Sequence, residues 1–199
     1  MINLEEYLYN RVLPVIQSWN EEGIYAISFY VYSNEAYVYN RVSNISEFSI
    51  GYLTEESCGH MSRLNEEAWD FMCIREGEKY IIEPNNNGNS NCEGLKILFD
   101  WYKENAIANI GFEDCNNAYD ENMCYIGKGP VGYYELLCAV SNVARRLQIE
   151  NIIKEKFGSI PIIVHDLEYP WYIKEATENA NPNGEASDFF EAMKGCFPK

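Results

Sequence analysis

The hydrophobic pattern at the start of the chain has the period of a helix. Leu4, Leu8, Val12, Val15, Ile16 and Trp19 recur at three- and four-residue intervals, which places them on one face of an amphipathic helix over residues 3–20. Asn3 can cap it, Glu5 and Glu6 suit the positive end of its dipole, and Gly23 can close it. Pro14 lacks a backbone donor and should kink or split the helix. The period then changes. Residues 24–32, IYAISFYVY, are β-branched and aromatic, Ser33-Asn34-Glu35 reads as a turn, and residues 36–42 return as a second strand. Residues 48–53 suggest a third strand. Residues 69–74 and 79–83 flank Glu76-Gly77-Glu78 as a further hairpin, with a loop or short helix over 55–67.

Beyond residue 84 the pattern is mostly helical. Residues 85–91, NNNGNSN, have nothing to bury and read as a solvated loop. Residues 93–106 set Leu95, Leu98, Phe99 and Tyr102 on one helix face. A long loop follows over 109–129, and loops of that length in a domain are often functional. Pro130 is well placed to open the longest helix, 130–157, with Tyr134, Leu137, Val140, Ala144, Leu147 and Ile152 as its buried stripe and Gly158 at its end. Residues 160–164 form a short apolar strand. A helix over 171–179, a turn at Asn181-Pro182-Asn183-Gly184 and a last helix over 187–194 complete the chain. No internal repeat is present. Strands gather in the first half and helices in the second. The expected class is therefore α+β: one domain, residues 1–199, with a mostly antiparallel sheet from the N-terminal half and helices packed on it.

Charge narrows the partners. The chain has 31 acidic and 15 basic residues, a formal net charge of −16. The excess is not a tail, because residues 1–90 hold 14 acids against 5 bases and residues 91–199 hold 17 against 10. A surface this negative repels nucleic acid and anionic membranes and attracts basic proteins or cations. The adjacent pair Arg145 and Arg146 falls well short of the ~6–10 phosphate contacts of a typical nucleic-acid binder. Seven cysteines, an odd number without a C-x-x-C, read as reduced cytosolic thiols. The opening MINLEEYLYN has no basic or apolar region of the signal-peptide kind, and no apolar run approaches the ~18 residues that span a membrane. A cytoplasmic protein is expected. The sequon Asn44-Ile45-Ser46 then carries no consequence.

The densest candidate for chemistry is the end of the 160–164 strand, where His165, Asp166 and Glu168 follow a buried apolar run. His165 could act as a base or metal ligand, with Asp166 and Glu168 as carboxylate ligands or orienters. Alternation in an extended chain would put the two carboxylates on one side. The same residues serve equally as hydrogen-bond partners of nearby backbone, and a metal site normally takes three or four ligands. His60 lies two residues from Cys58, a spacing that matches no known zinc site. Asp114, Asn116, Asp120 and Glu121 suggest a calcium loop, but Ala118 takes the third ligand position and no glycine follows in register. Gly127-Lys128-Gly129 lacks the phosphate-loop frame. No cofactor or metal motif is complete.

Several blocks together resemble a family of small bacterial cytosolic single-domain α+β proteins of uncharacterised function, some of them encoded near polymorphic toxin systems. The blocks are Trp19 before residues 24–29, Glu66-Glu67-Ala68-Trp69-Asp70, residues 160–169, and Asn181-Pro182-Asn183-Gly184 before Phe189, so they run along nearly the whole chain. The resemblance implies an immunity protein and no catalytic residues to carry over. Such a protein would mask the basic cleft of a toxin, and dense carboxylates with tyrosine anchors suit that task. The expected contact is the acidic loop with Glu113, Asp114, Asp120 and Glu121 beside Tyr119. The rival expectation is a metal-assisted hydrolase built on His165, Asp166 and Glu168. Oligomeric state is not legible.

Overall fold

The amphipathic start of the chain folds as α1, Leu4–Ser18, in a computed structural model that describes residues 1–38, 41–71, 75–83, 93–107, 132–166 and 171–197, with the side chains of 33–46 outside the description. Asn3 Oδ1 accepts from the Glu6 amide at 3.1 Å, the expected N-cap. The helix stays continuous through Pro14, which is exposed, so solvent can serve the carbonyl that loses its donor. It closes at Trp19, whose N–H reaches Ile16 O, and not at Gly23. Leu4, Leu8, Val12 and Ile16 are buried as the period requires, while Val15 is only partly buried at the margin of the stripe.

The chain then forms a four-stranded sheet in the order β3-β2-β1-β4. β1 (Ile24–Val38) and β2 (Arg41–Thr54) pair antiparallel over their whole length. Ser33-Asn34-Glu35 is therefore not a turn but strand. No glycine follows Asn34 to demand a tight reversal, and the β-forming residues Tyr37 and Val38 carry the strand on. Residues 48–53 likewise belong to β2 and are not a separate strand. β3 (Glu76–Ile82) runs antiparallel to β2, and Glu76-Gly77-Glu78 lies inside it instead of turning a hairpin. Gly77 has φ 59, and a Cβ there would come 2.2 Å from the Tyr52 ring. The glycine marks a close approach and not a reversal. Trp69 ends a short 3-10 turn, Glu66–Trp69.

Helices α2 (Glu93–Glu104), α3 (Tyr133–Ile149), α4 (Ile152–Phe157), α5 (Trp171–Ala180) and α6 (Ser187–Ala192) follow, with β4 (Ile162–His165) between α4 and α5. The expected single helix over 130–157 is two. Asn151 takes a left-handed conformation with φ 60, which breaks the helix after Glu150 and lets Ile153, in place of Ile152, enter the core. On α2, Leu95, Leu98 and Tyr102 are buried but Phe99 is exposed. Tyr134 is half-buried, at the margin of a stripe formed by Leu137, Val140, Ala144 and Leu147. No helix among the described residues is long and apolar enough to cross a membrane.

The sheet divides the molecule. Ile27, Phe29 and Val31 pair with Tyr52, Ile50 and Phe48, so these six share one face. Trp19 meets Tyr52 edge-on at 4.9 Å, which puts α1 on that side. The other face carries Ser28, Tyr30 and His165, covered by Phe71 just after the 3-10 turn. β4 departs from the antiparallel pattern. It pairs parallel with β1 and forms one edge of the sheet. Its outer backbone groups would be orphaned. Instead Thr177 Oγ1 accepts from Val164 N at 3.1 Å and donates to Val164 O at 2.9 Å. Asn181 accepts from Ile162 N at 2.9 Å and donates to Ile162 O at 2.7 Å. Its remaining capacity goes to Thr177 O and Gln148 Nε2. Both side chains are buried, so α5 and the turn after it act as a false neighbouring strand.

Candidate functional site

The end of β4 places His165 beside Tyr30, in register, and two positions past the Ser28–Ile163 pair, on the same face. Ser28 Oγ lies 2.8 Å from His165 Nε2. That is the spacing of a nucleophile and its base, and it joins residues 137 positions apart. The surroundings oppose such a role. Ser28 is 0% exposed and His165 2%. Phe71 stacks on the imidazole at 4.7 Å, and Tyr30 packs on it at 5.5 Å. Burial, and secondarily the positive charge of Arg75, pull the His165 pKa down to about 3. Arg75 is held over the Tyr30 ring at 4.2 Å and pairs with Glu78 at 2.7 Å. The imidazole is thus neutral at pH 7, closed from solvent and a weak base.

Asp166 points elsewhere. The Tyr133 hydroxyl lies 2.7 Å from Asp166 Oδ2 and 3.1 Å from Val31 O. Burial, then the Asp166 carboxylate, hold that phenol well above its ordinary pKa. His165 therefore meets Ser28, whereas Asp166, just past the end of β4, takes the Tyr133 hydroxyl. Glu168 lies outside the described residues, as do Glu113, Asp114, Tyr119, Asp120 and Glu121. Among the described residues no group of three His, Cys, Asp or Glu side chains is placed to hold a metal.

Cys58 and His60 are also kept apart. Cys58 is buried, 2.7 Å from the Tyr25 hydroxyl, which also donates to Ala68 O. His60 is exposed, 4.0 Å from Glu55. Among the described residues Cys58, Cys138 and Cys196 form no disulfide.

Among the described residues the carboxylates other than the buried Glu47 reach the surface. Arg146 bridges Glu6 and Glu150 at 2.8 Å each, tying α1 to α3, with its guanidinium 3.7 Å over the Tyr9 ring. Such pairs are solvated. Elsewhere Glu21, Glu22, Glu56, Glu67, Glu83 and Asp188 stand exposed, and the described ion pairs engage none of them.

The fold defines an α+β protein whose buried histidine is built into the sheet and whose described charged side chains, Glu47 apart, reach the surface. No family model, no curated protein and no solved structure matches the chain.

Proposed function

We propose that this chain is an acidic binding protein that captures a basic protein and covers its active cleft, as an immunity protein neutralises a toxin. The observation that carries the reading is the net charge of −16 spread over both halves of a folded domain. Held on a folded scaffold, that charge raises the rate at which a basic partner is met, and aromatic side chains at the contact supply buried energy. The enclosure of His165 adds support, because it takes the imidazole of the rival hydrolase reading out of contact with solvent. Glu113, Asp114, Asp120 and Glu121, beside Tyr119, are the preferred contact.

The test is binding to the product of a neighbouring toxin gene at rising salt. The affinity should fall at least tenfold between low and high salt. Neutralising the four carboxylates together, as Glu113→Gln, Asp114→Asn, Asp120→Asn and Glu121→Gln, should weaken binding at least tenfold while leaving the unfolding midpoint unchanged. Absence of binding to any such product, or affinity indifferent to salt, sinks the reading.

A further inference from the structure

Along the outer side of α3 run two adjoining cavities of about 570 and 290 Å³ that share Tyr134, Cys138 and Asn142. Together they make one open groove. The larger is bordered by the first turn of α1 and by Trp101 of α2, the smaller by α5 with Tyr172 and Glu175. Three half-buried aromatic rings, Trp101, Tyr134 and Tyr172, form its walls. Three carboxylates line it: Glu5, Glu135 and Glu175.

Those carboxylates are held in place by uncharged donors. Asn142 Nδ2 donates to Glu5 at 2.7 Å, the Gly132 amide to Glu135 at 2.6 Å, and the Tyr134 hydroxyl to Glu175 at 3.1 Å. Among the described residues none of the three has an ion-pair partner, and no Lys, Arg or His side chain lines either cavity. The amino group of Met1, at the rim, is directed to Glu104 at 3.9 Å. Aromatic faces present negative charge to a cation, and fixed carboxylates beside them add a full charge. A groove with both, and with no Lys, Arg or His side chain in its lining, has the chemistry of a receptor for an organic cation.

We infer that this groove seats a lysine or arginine side chain of the basic protein partner, its aliphatic stem against Trp101 and Tyr134 and its charged head between the Glu5 and Glu175 carboxylates. The inference rests on the binding reading above and gives it a second contact, on the helical side of the fold. A partner would then be held by the stem's apolar contact as well as by charge.

A hexa-arginine peptide tests it, with the full chain and tryptophan fluorescence as readout. The peptide should perturb the fluorescence of the wild type and not that of Trp101→Phe. The pair Glu5→Gln with Glu175→Gln should lose about tenfold in peptide affinity. The control pair Asp188→Asn with Glu191→Gln, which removes the same charge from α6, should lose less than about twofold. Equal losses in the two pairs would overturn the groove while leaving the binding reading intact. No peptide binding by the wild type would also overturn it, as would nuclear Overhauser contacts from residues 108–131 to Trp101, which would show the groove filled by the chain itself. Failure of the binding reading is seen separately, with the toxin gene product.

Discussion

The two flanks of α3 treat polar groups in opposite ways. Toward β4 the buried amides are paired: Gln148 Nε2 donates to Ile160 O at 2.9 Å and to Asn181 Oδ1 at 3.3 Å, and the Asn181 side chain makes four hydrogen bonds. On the outer flank Glu5, Glu135 and Glu175 form no ion pair among the described residues. The difference is set by water. An unmatched group in the interior costs a few kcal/mol, whereas a solvated carboxylate costs almost nothing until something approaches it. Polarity on the inner flank is therefore committed to folding, and charge on the outer flank is free for a partner.

Substitutions on the inner flank should break that contrast most. Asn181→Leu leaves Ile162 N and O and Thr177 O without partners and should cost about 3 kcal/mol or more in urea unfolding. A cost under about 1 kcal/mol would mean that α5 does not complete the sheet edge.

Acid comes next. The folded-state pKa of His165 is depressed to about 3 from a reference of 6.5. The imidazole's contribution is complete above the unfolded value and is lost as pH falls from there toward the folded one. At pH 5 the loss is about 2 kcal/mol. Unfolding at stepped pH should show this slope, and His165→Gln, whatever its own cost, should flatten it. A slope unchanged by the variant would place the proton elsewhere. Thr177→Val keeps the shape of the side chain but removes both bonds to Val164, and about 1–2 kcal/mol should go with them. The outer flank should show the smallest effect. Arg146→Gln breaks two exposed pairs, to Glu6 and Glu150, and the thermal midpoint should hardly move.

Much of this architecture is legible in the sequence because it follows from periodicity. The helix from Leu4, the strand from Ile24, the apolar run before His165 and the α+β class all come from apolar spacing and residue type. What is missed depends on contacts between distant segments. The length of the β1–β2 pair turns on Tyr37 and Val38 outweighing Ser33-Asn34-Glu35. The helix break turns on Asn151 entering a left-handed conformation, which no local pattern marks. Ser28 beside His165 is invisible until the parallel register of β4 is known. Asp166, which sequence reasoning groups with His165, lies past the end of β4 and takes the Tyr133 hydroxyl instead. Tyr134 looks like core by its spacing, yet it lies at the margin of the stripe and walls the groove instead.

The most direct test of the division between a committed interior and an available surface is the salt dependence of binding, measured for the wild type and for His165→Gln. The partner is the product of a neighbouring toxin gene. The wild type should bind it with an affinity that falls at least tenfold as salt rises, and a folded His165→Gln variant should bind with the same affinity and the same slope. No binding, binding indifferent to salt, or binding lost with His165 in a folded protein would contradict the account.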